Sequence, residues 1–358
     1  MIKVKAPGKL YIAGEYAVIE PGTPAILVAV DKYITVTIKE SNNFGTINSA
    51  QYEENSVNWT RNGNKIVFDN RDNPFHFLIE AINIAEKYVK ENNKSLKFYH
   101  LSINSELDNH DGRKLGLGSS AAITVATIKA LCKFYNLNVT NDEIFKLSAI
   151  AHLNVQGNGS LGDIAASVYG GWIAYSSFNR QWLNEQIGKN KSLKQLLHTT
   201  WPQLSIKRLN PPRDLQLLIG WTGSPASTPH LVDKVNTNKN NHKNEYKQFI
   251  SDSTNCINEL IRAFEQQDLT SIQKQINNNR LLLNKLSKIS NINIETPKLT
   301  QLCNIANKYN GASKTSGAGG GDCGIVIINK NQKLNDLIQE WKQSDIKMLK
   351  MNVANFEN

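Results

Sequence analysis

Apolar residues recur along this chain with two different periods, and the period predicts which segments form strands and which form helices. Residues 25–39 (AILVAVDKYITVTIK) are rich in β-branched side chains and alternate with polar residues toward their end, as a strand does. Residues 75–91 place Phe77, Ile79, Ile82 and their neighbours on one broad apolar face at helical spacing. Further strands are predicted at 97–105, 172–176, 215–221, 324–328 and 347–353, and further helices at 119–136, 142–155, 242–266, 269–288, 297–309 and 332–342.

These elements mix strands and helices without strict alternation, which favours an α+β fold over a doubly wound sheet. The chain has 358 residues, and at roughly 150 residues per domain this length fits about two domains. From residue 180 to residue 210 the composition is polar and rich in lysine, and the segment ends at Pro211-Pro212. We therefore predict an N-terminal domain over residues 1–210 and a C-terminal domain over residues 211–358.

The composition, with 40% hydrophobic and 20% charged residues, is that of a globular protein with a core. Four cysteines are present without a CxxC pair or a histidine at metal-ligand spacing, so we expect reduced thiols and a cytoplasmic location. The N-terminus has no signal-peptide pattern, and no apolar run reaches the roughly 18 residues of a membrane-spanning helix. We expect no contact with a membrane.

Forty-one Lys and Arg residues against 31 Asp and Glu residues give a formal net charge of +10. This excess suits nucleic acid, an anionic membrane surface or a polyanionic small molecule, but Lys and Asn recur throughout the chain as a composition bias does. The basic residues 234–247 are most simply a solvated surface segment. Charge alone therefore identifies no partner.

A glycine-rich segment, GLGSSAA at residues 116–122, directly precedes an apolar helix. Glycines let several backbone N–H groups turn toward one point, and the start of the helix adds its own unpaired N–H groups and its positive dipole end. A triphosphate is the natural occupant, and Ser119 and Ser120 offer hydroxyls where a phosphate-bound Mg²⁺ would sit. The segment is neither a Walker A loop nor a GxGxxG fingerprint. Taken alone, it is equally well explained as a turn with a serine as helix N-cap.

Two further glycine-rich segments stand out. Residues 314–322 (KTSGAGGGD) contain four glycines in five positions, which suits either a flexible hinge or a surface that a ligand approaches closely. Residues 157–163 (GNGSLGD) place Asp163 at the start of an apolar segment, where taken alone it is best explained as a helix N-cap.

Pro7-Gly8 interrupts the apolar–polar alternation that begins at residues 2–4, and Lys9 follows within an otherwise apolar strand. A buried ammonium without a partner is costly, so Lys9 should face a carboxylate or a phosphate unless it reaches the surface.

Taken together, PGKLYIAGEYAV near the start, GLGSSAA in the middle and KTSGAGGGDCG near the end resemble the galactokinase–homoserine kinase–mevalonate kinase–phosphomevalonate kinase (GHMP) superfamily. The order and separation of these motifs span nearly the whole chain. Within the superfamily, GEYAVIEPGTPAI, QGNGSLGDIAASVYGG and WTGSPASTPHLV are most similar to the phosphomevalonate kinases.

The resemblance implies a two-domain fold, with a left-handed βαβ crossover in the N-terminal domain and a ferredoxin-like C-terminal domain. It also implies that the γ-phosphoryl group of ATP passes to 5-phosphomevalonate and gives 5-diphosphomevalonate and ADP, with ATP and Mg²⁺ as cofactors. The expected partners are these small molecules and no nucleic acid, and the chain is expected to be a monomer or a homodimer.

The resemblance also implies the site residues. Lys9 and Asp163 match the catalytic lysine and aspartate. The implied ATP-binding residues are Gly116, Leu117, Gly118, Ser119, Ser120 and Ala121, with Ser120 also a metal ligand. The implied substrate-binding residues are Lys9, Gly317, Ala318 and Gly319, and weaker candidates are Tyr16, Ser160, Ser224 and Ser227, which are equally well explained as turn residues or core edges.

The chain departs from the superfamily pattern at two places. Arg113-Lys114 stands where the phosphate loop usually has a proline, and His152 stands where mevalonate kinases have a Mg²⁺-binding glutamate, eleven positions before Asp163. Carboxylate ligation from that helix is therefore not expected here.

A phosphate acceptor is already ionised near neutral pH, because its second pKa is about 6, so it needs no general base. We therefore expect Asp163 to hold Lys9 in place and to aid Mg²⁺, and Lys9 to screen the repulsion between two phosphates. The alternatives are mevalonate kinase and diphosphomevalonate decarboxylase within the superfamily, and a basic nucleic-acid-binding protein outside it. Against the last, the basic residues are scattered and show no binding signature.

Overall fold

The computed structural model describes residues 1–49, 56–63, 65–68, 75–107, 115–223, 231, 235 and 242–356, and two β-sheets organise them. Ser224 and Ser227, two of the candidate substrate-binding residues, and Arg113-Lys114 lie outside the described residues. Strands and helices are mixed along the chain, as expected for the α+β class.

The first sheet contains eight of the described strands. They are β1 (Ile2–Ala13), β2 (Pro24–Ser41), β3 (Gly45–Ser49), β4 (Val57–Asn62), β5 (Lys65–Phe68), β6 (Phe98–Ser105), β7 (Trp172–Ser176) and β8 (Ser205–Leu209). Their order is β5-β4-β3-β6-β2-β7-β8, with β1 also paired to β2. Strands β3 and β6 are parallel neighbours, and the chain between them contains β4, β5 and a helix. The left-handed crossover stays a prediction.

Strand β2 forms the centre of this sheet, and its burial explains its sequence. Residues 24–30 are buried without interruption, whereas from Ile34 onward buried and more exposed residues alternate. An uninterrupted apolar run is typical of a strand covered on both faces, and alternation is typical of one covered on a single face. Strand β1 continues through Pro7-Gly8, so the predicted interruption is wrong: a register shift at that point absorbs the proline.

Helices cover the first sheet and close the connections between its strands. They are α1 (His76–Glu91), α2 (Ser119–Phe134), α3 (Asn141–Gln156), α4 (Gly162–Tyr169), α5 (Arg180–Gly188) and α6 (Leu193–His198). The predicted helices at 75–91, 119–136 and 142–155 are confirmed. Helix α3 starts with a capping box in which Thr140 and Glu143 bond each other's backbone N–H. Residues 180–210 are polar overall, yet they form α5, α6 and β8 and bury Leu183 and Trp201 in the core.

The second sheet contains four of the described strands and has the order β10-β11-β9-β12, with every pair antiparallel. The strands are β9 (Leu215–Trp221), β10 (Ala312–Thr315), β11 (Cys323–Asn329) and β12 (Lys347–Met348), and the helices are α7 (Lys243–Glu265), α8 (Leu269–Ser290), α9 (Pro297–Lys308) and α10 (Asn335–Gln343). Along the chain these elements are one strand, helices, two strands, a helix and a last strand. Together with the strand order of the sheet, this sequence of elements makes the expected ferredoxin-like arrangement.

The end of the chain returns to the first sheet. Asn352 O accepts the N–H of Asp31 at 2.9 Å, Ala354 N–H donates to Ala29 O at 2.9 Å, and Val353 bridges to Val30. The predicted strand at 347–353 is thus limited to β12 and this single bridge. The division of the chain at residue 210 stays a prediction.

One large apolar core runs through both sheets, and two smaller clusters flank it. None of the helices that the structure describes combines the length and the apolar run that crossing a bilayer requires. All four cysteines are free and buried. Burial raises the pKa of Cys132 and of Cys323 to about 12, and that of Cys256 and of Cys303 to about 11.

We therefore predict that no thiol of the native protein reacts with a disulfide reagent at neutral pH, because the reactive species is the thiolate. A thiol-counting assay should find none in the folded protein and four after unfolding in guanidinium chloride. Rapid labelling of even one cysteine before unfolding would contradict the buried positions.

Candidate active site

A cavity of about 550 Å³ opens where strand β1, helices α2 to α4 and the loop between β10 and β11 meet. Its wall therefore combines segments as distant in the sequence as those of Lys9 and Asp322. Glycine main chain, hydroxyl groups, one ammonium and several carboxylates line it. This combination can bind a phosphorylated ligand and a metal ion together.

The loop before α2 presents main-chain N–H groups to this cavity. Gly118 occupies the N-cap position in a left-handed conformation (φ 78°, ψ 46°), and no side chain caps the helix. The first N–H groups of a helix have no partner within it, so those of Ser119 and Ser120 are available to an anion. The alternative that a serine caps this helix is therefore wrong. A side chain at Gly118 would also crowd Lys9, since an added Cβ would lie 3.0 Å from Lys9 Cε.

Lys9 lies directly against the same loop. Its backbone N–H donates to Leu117 O at 2.9 Å, and its ammonium donates to Gly116 O at 3.0 Å. An ammonium has three donors, so this bond leaves two for a ligand in the cavity. Lys9 forms no ion pair with a carboxylate among the described residues, so the expected contact with Asp163 is not formed.

Asp163 lies in the first turn of α4 and lines the cavity. It is not the N-cap: Leu161 holds that position with a left-handed backbone (φ 63°). The N–H of Ile164 donates to Asp163 Oδ1 at 3.0 Å. The carboxylate thus faces the cavity from the start of a helix, where the helix dipole favours negative charge.

Ser120 and His152 form a contact at the wall of the cavity. His152 Nε2 lies 3.2 Å from Ser120 Oγ, and the imidazole stacks on Phe77 with ring centroids 4.7 Å apart. The ring is 1% exposed, and its Nδ1 has no hydrogen-bond partner among the described residues. Burial lowers the pKa of His152, and the charge of Asp163 opposes this change without reversing it. The ring is therefore neutral at neutral pH.

Two tyrosines hold Ser160, a predicted substrate-binding residue. Its Oγ lies 2.6 Å from Tyr11 Oη, and its carbonyl accepts the hydroxyl of Tyr175 at 2.5 Å. Burial and the charge of Asp163 raise the pKa of Tyr11, so its phenol stays protonated. The Ser160 hydroxyl also accepts the N–H of Gly162 at 3.3 Å, so it lines the cavity with two partners already in place.

A buried ion pair connects the two sheets beside the cavity. The ammonium of Lys314, on β10, donates to the carboxylate of Glu15, in the turn after β1, and also to Thr315 O at 2.7 Å. Lys314 and Glu15 are 0% and 3% exposed. The same carboxylate oxygen accepts the N–H of Gly317 at 3.3 Å. The pair therefore fixes the loop after β10 to the turn after β1.

The glycines of this loop permit close contact with the main chain behind it. Gly319 has φ 75°, and a Cβ added there would lie 2.2 Å from Ile294 O. The neighbouring Gly320 N–H donates to that same oxygen at 2.8 Å. The next residue, Glu295, forms two hydrogen bonds with the Arg280 guanidinium, at 2.6 and 2.8 Å, and these bonds also fix the main chain at Ile294. A larger residue at Gly319 would displace the loop.

The structure brings most of the predicted site residues to one cavity. Those that line it are Lys9, Tyr16, Gly116, Leu117, Gly118, Ser119, Ser120, Ser160, Asp163, Gly317 and Ala318. Two described candidates do not line it: Ala121 is fully buried within α2, and Gly319 packs on Ile294 instead.

Sequence reasoning missed several lining residues. Tyr11 and Glu15 belong to the N-terminal motif and Asp322 to a glycine-rich segment, but the sequence assigns them no role, and it predicts Phe77 only as part of an apolar helix face. Glu15 could have been identified as a site residue, because it is a charged residue inside an otherwise apolar motif. Phe77 had none, because its place at the cavity depends on how α1 packs against α3.

Two family models match the chain. One, described as "GHMP kinases N terminal domain", matches residues 76–171, and the other, "GHMP kinases C terminal", matches residues 260–347. Together they cover more than half of the chain and include the phosphate loop and the loop after β10.

Individual relatives match over nearly the full length. A phosphomevalonate kinase from Streptomyces sp. (strain CL190) is 36% identical, over 98% of this chain and 96% of the relative. A mevalonate kinase from Methanocaldococcus jannaschii is 27% identical, over 98% and 99%. A structure of Streptococcus pneumoniae phosphomevalonate kinase in complex with phosphomevalonate and AMPPNP superimposes with a TM-score of 0.86 at 30% identity, covering 99% of this chain and 100% of that one.

The ion pair next to the cavity yields a stability prediction. Lys314→Met should lower the free energy of unfolding by about 3–5 kcal/mol, because it leaves the Glu15 carboxylate buried without its cation. The double variant Glu15→Gln, Lys314→Met should lose less, because no buried charge remains. Denaturant unfolding followed by circular dichroism measures both.

The matched control is Lys308→Met, which removes one partner of the exposed pair Lys308–Glu340 (62% and 33% exposed). It should change the free energy of unfolding by less than about 1 kcal/mol. A Lys314→Met variant as stable as this control would contradict the structural importance of the buried pair.

Proposed function

This chain belongs to the GHMP kinase family, and from that premise we propose that it transfers the γ-phosphoryl group of ATP to 5-phosphomevalonate, giving 5-diphosphomevalonate and ADP. The observation that carries the proposal is the position of the Lys9 ammonium, 3.0 Å from Gly116 O at the phosphate loop, with two donors left for a ligand. The full-length similarity to phosphomevalonate kinases supports this acceptor over others. Membership of the family also favours the enzyme over the nucleic-acid-binding alternative.

The nucleotide phosphates bind at the start of α2 in this proposal. The main-chain N–H groups of Ser119 and Ser120 and the loop from Gly116 to Gly118 provide donors that need no rearrangement. Phosphoryl transfer depends on positioning and on charge stabilisation more than on covalent chemistry. A preformed nest of N–H groups supplies both.

Lys9 lies between the nucleotide and the acceptor. Its charge offsets the repulsion between the γ-phosphoryl group and the acceptor phosphate, and it stabilises the negative charge that spreads over the transferring oxygens. Because the acceptor phosphate is already ionised, no residue has to remove a proton from it. Asp163 is therefore not assigned as a general base.

The residues present also fit a Mg²⁺ ion. Ser120 and Asp163 both place oxygen donors at the cavity, and Mg²⁺ prefers oxygen ligands while it keeps substrate phosphates and water in its shell. These two residues would hold the ion, which when bound neutralises part of the phosphate charge. The absence of an ion pair between Asp163 and Lys9 leaves the carboxylate available for this role.

The acceptor binds near Ser160 and the loop that carries Gly317 and Ala318. Both parts of this wall are anchored by hydrogen bonds to β1 or to the turn after it: Ser160 Oγ to Tyr11 Oη, and Ala318 O to Tyr16 Oη at 2.6 Å. A wall anchored in this way holds the acceptor phosphate at a fixed distance from the nucleotide.

The first test is an acceptor panel. Purified protein with ATP and Mg²⁺ should form ADP with phosphomevalonate and should form little with mevalonate or diphosphomevalonate. Phosphorus NMR should show a diphosphate product, and no CO₂ should be released. Turnover of mevalonate instead would make the chain a mevalonate kinase, and CO₂ release from diphosphomevalonate would make it a decarboxylase.

The second test is Lys9→Ala. We expect kcat to fall roughly 10²–10³-fold, because a preorganised cation is lost where charge develops, with a modest change in the KM for ATP. Steady-state kinetics with both substrates varied measures this effect. Lys5→Ala is the control, since Lys5 lies on the same strand but is exposed. An unchanged kcat in Lys9→Ala would remove this residue from the chemistry.

A further inference from the structure

The turn Glu15–Tyr16–Ala17 has a strained backbone. Tyr16 has φ 63° and ψ −51°, and the N–H of Ala17 donates to Glu15 O at 2.7 Å. These values define a classic γ-turn, which is rare and costly for a residue with a side chain. Such a conformation persists only where the surroundings hold it, and strained residues of this kind cluster at functional sites.

The side chains of Glu15 and Tyr16 both contact β10 or the loop that follows it. Tyr16 Oη donates to Ala318 O at 2.6 Å, and the Glu15 carboxylate accepts from Lys314 and from Gly317 N–H. The Tyr16 side chain is 3% exposed and packs in a small core with residues of α7 and α8. Two contacts from consecutive residues thus hold one short segment that is 302 residues away in the sequence.

The held segment is main chain at the wall of the cavity. Gly317 and Ala318 both line it, and neither has a polar side chain, so what they offer a ligand is their backbone. The space beyond Gly317 is open, since a Cβ added there would meet no atom within 4 Å. A change in the position of this segment therefore moves the backbone groups that a ligand in the cavity can contact.

We propose that Tyr16 is a positioning residue for the acceptor: its hydroxyl, aimed by the γ-turn, sets the main chain of Gly317–Ala318 at the wall of the acceptor pocket. This role rests on the proposed function and differs from direct substrate binding by Tyr16, because the hydroxyl proton is already donated to Ala318 O. The proposed function assigns the nucleotide phosphates to the start of α2, which is a different part of the cavity wall.

The test is Tyr16→Phe, which removes one oxygen and keeps the ring. The KM for phosphomevalonate should rise roughly five- to tenfold, the value for losing one hydrogen bond, whereas the KM for ATP should stay within about twofold. Hydrogen exchange, measured without substrate, should be faster for the amides of residues 316–320. This second readout does not depend on which acceptor the enzyme uses, so it separates failure of this inference from failure of the proposed function.

Two further variants complete the design. Ser316→Ala removes the bond from Ser316 Oγ to Tyr11 O (2.9 Å), which holds the same loop from a residue that does not line the cavity, and it should change the KM for the acceptor in the same direction. Tyr135→Phe is the control, because the Tyr135 hydroxyl also bonds main chain, at Lys97, but does so away from the cavity. It should lower the melting temperature and leave both KM values unchanged.

Three outcomes would overturn the inference. An unchanged acceptor KM in Tyr16→Phe would leave Tyr16 with a structural role only. A raised KM in Tyr16→Phe with no change in Ser316→Ala would indicate that Tyr16 contacts the substrate itself. Unchanged hydrogen exchange at residues 316–320 would show that the hydroxyl does not fix the loop.

Discussion

The buried pair of Glu15 and Lys314 is the interaction on which the arrangement of the site depends. Removing two charges from water is expensive, and attraction in the interior compensates only where geometry and further hydrogen bonds are good. Here both groups have additional partners, Thr315 O for the ammonium and Gly317 N–H for the carboxylate. A pair of this kind specifies one relative position of β1 and β10 more strictly than apolar contacts would, because any displacement would leave a charge unpaired.

Strand β1, which this ion pair holds, also positions the positive charge of the cavity. Two unit charges about 4 Å apart repel by about 4 kcal/mol at an effective dielectric constant of 20, so two phosphates do not approach each other without compensation. Two separate motifs supply positive charge, the Lys9 ammonium from β1 and the start of α2 from the loop at residues 116–118. Both depend on β1: Lys9 is part of it, and Leu117 O is bonded to its backbone.

The sequence was informative where a motif is local and misleading where a partner is distant. The loop at 116–120, Lys9 and Asp163 could be placed because their glycines and charges stand out against an apolar background. The partners of Tyr16 and Lys9 could not be foreseen, because Ala318 and Gly116 offer backbone carbonyls, which no side-chain pattern marks. For the same reason the sequence predicted that Asp163 holds Lys9 in place, whereas in the structure the Lys9 ammonium donates to the main chain of Gly116.

The polar segment at 180–210 shows a second limit. Its overall composition was used to place a domain boundary at residue 210, yet a few apolar residues at the right spacing, Leu193, Leu196 and Trp201 among them, are enough to attach the segment to the core. Average polarity hides such periodic contacts. Pro7-Gly8 shows a similar limit: the local sequence predicts an interruption, but the pairing of β1 with β2 tolerates a proline where the register shifts.

His152 affects the charge of the site, because a neutral imidazole lies where a carboxylate would add a negative charge. Its ring is neutral, buried against Phe77 and in contact with Ser120, at the position where the resemblance implies a glutamate in mevalonate kinases. A second carboxylate beside Asp163 would bind a metal ion more tightly, but it would also repel an acceptor that carries both a phosphate and a carboxylate group. A neutral imidazole avoids that repulsion and still contacts the Ser120 hydroxyl. For an acceptor with more negative charge than a simple alcohol, electrostatics favours the proposed arrangement, in which one anionic side chain would bind the Mg²⁺ ion and one ammonium would lie between the phosphates.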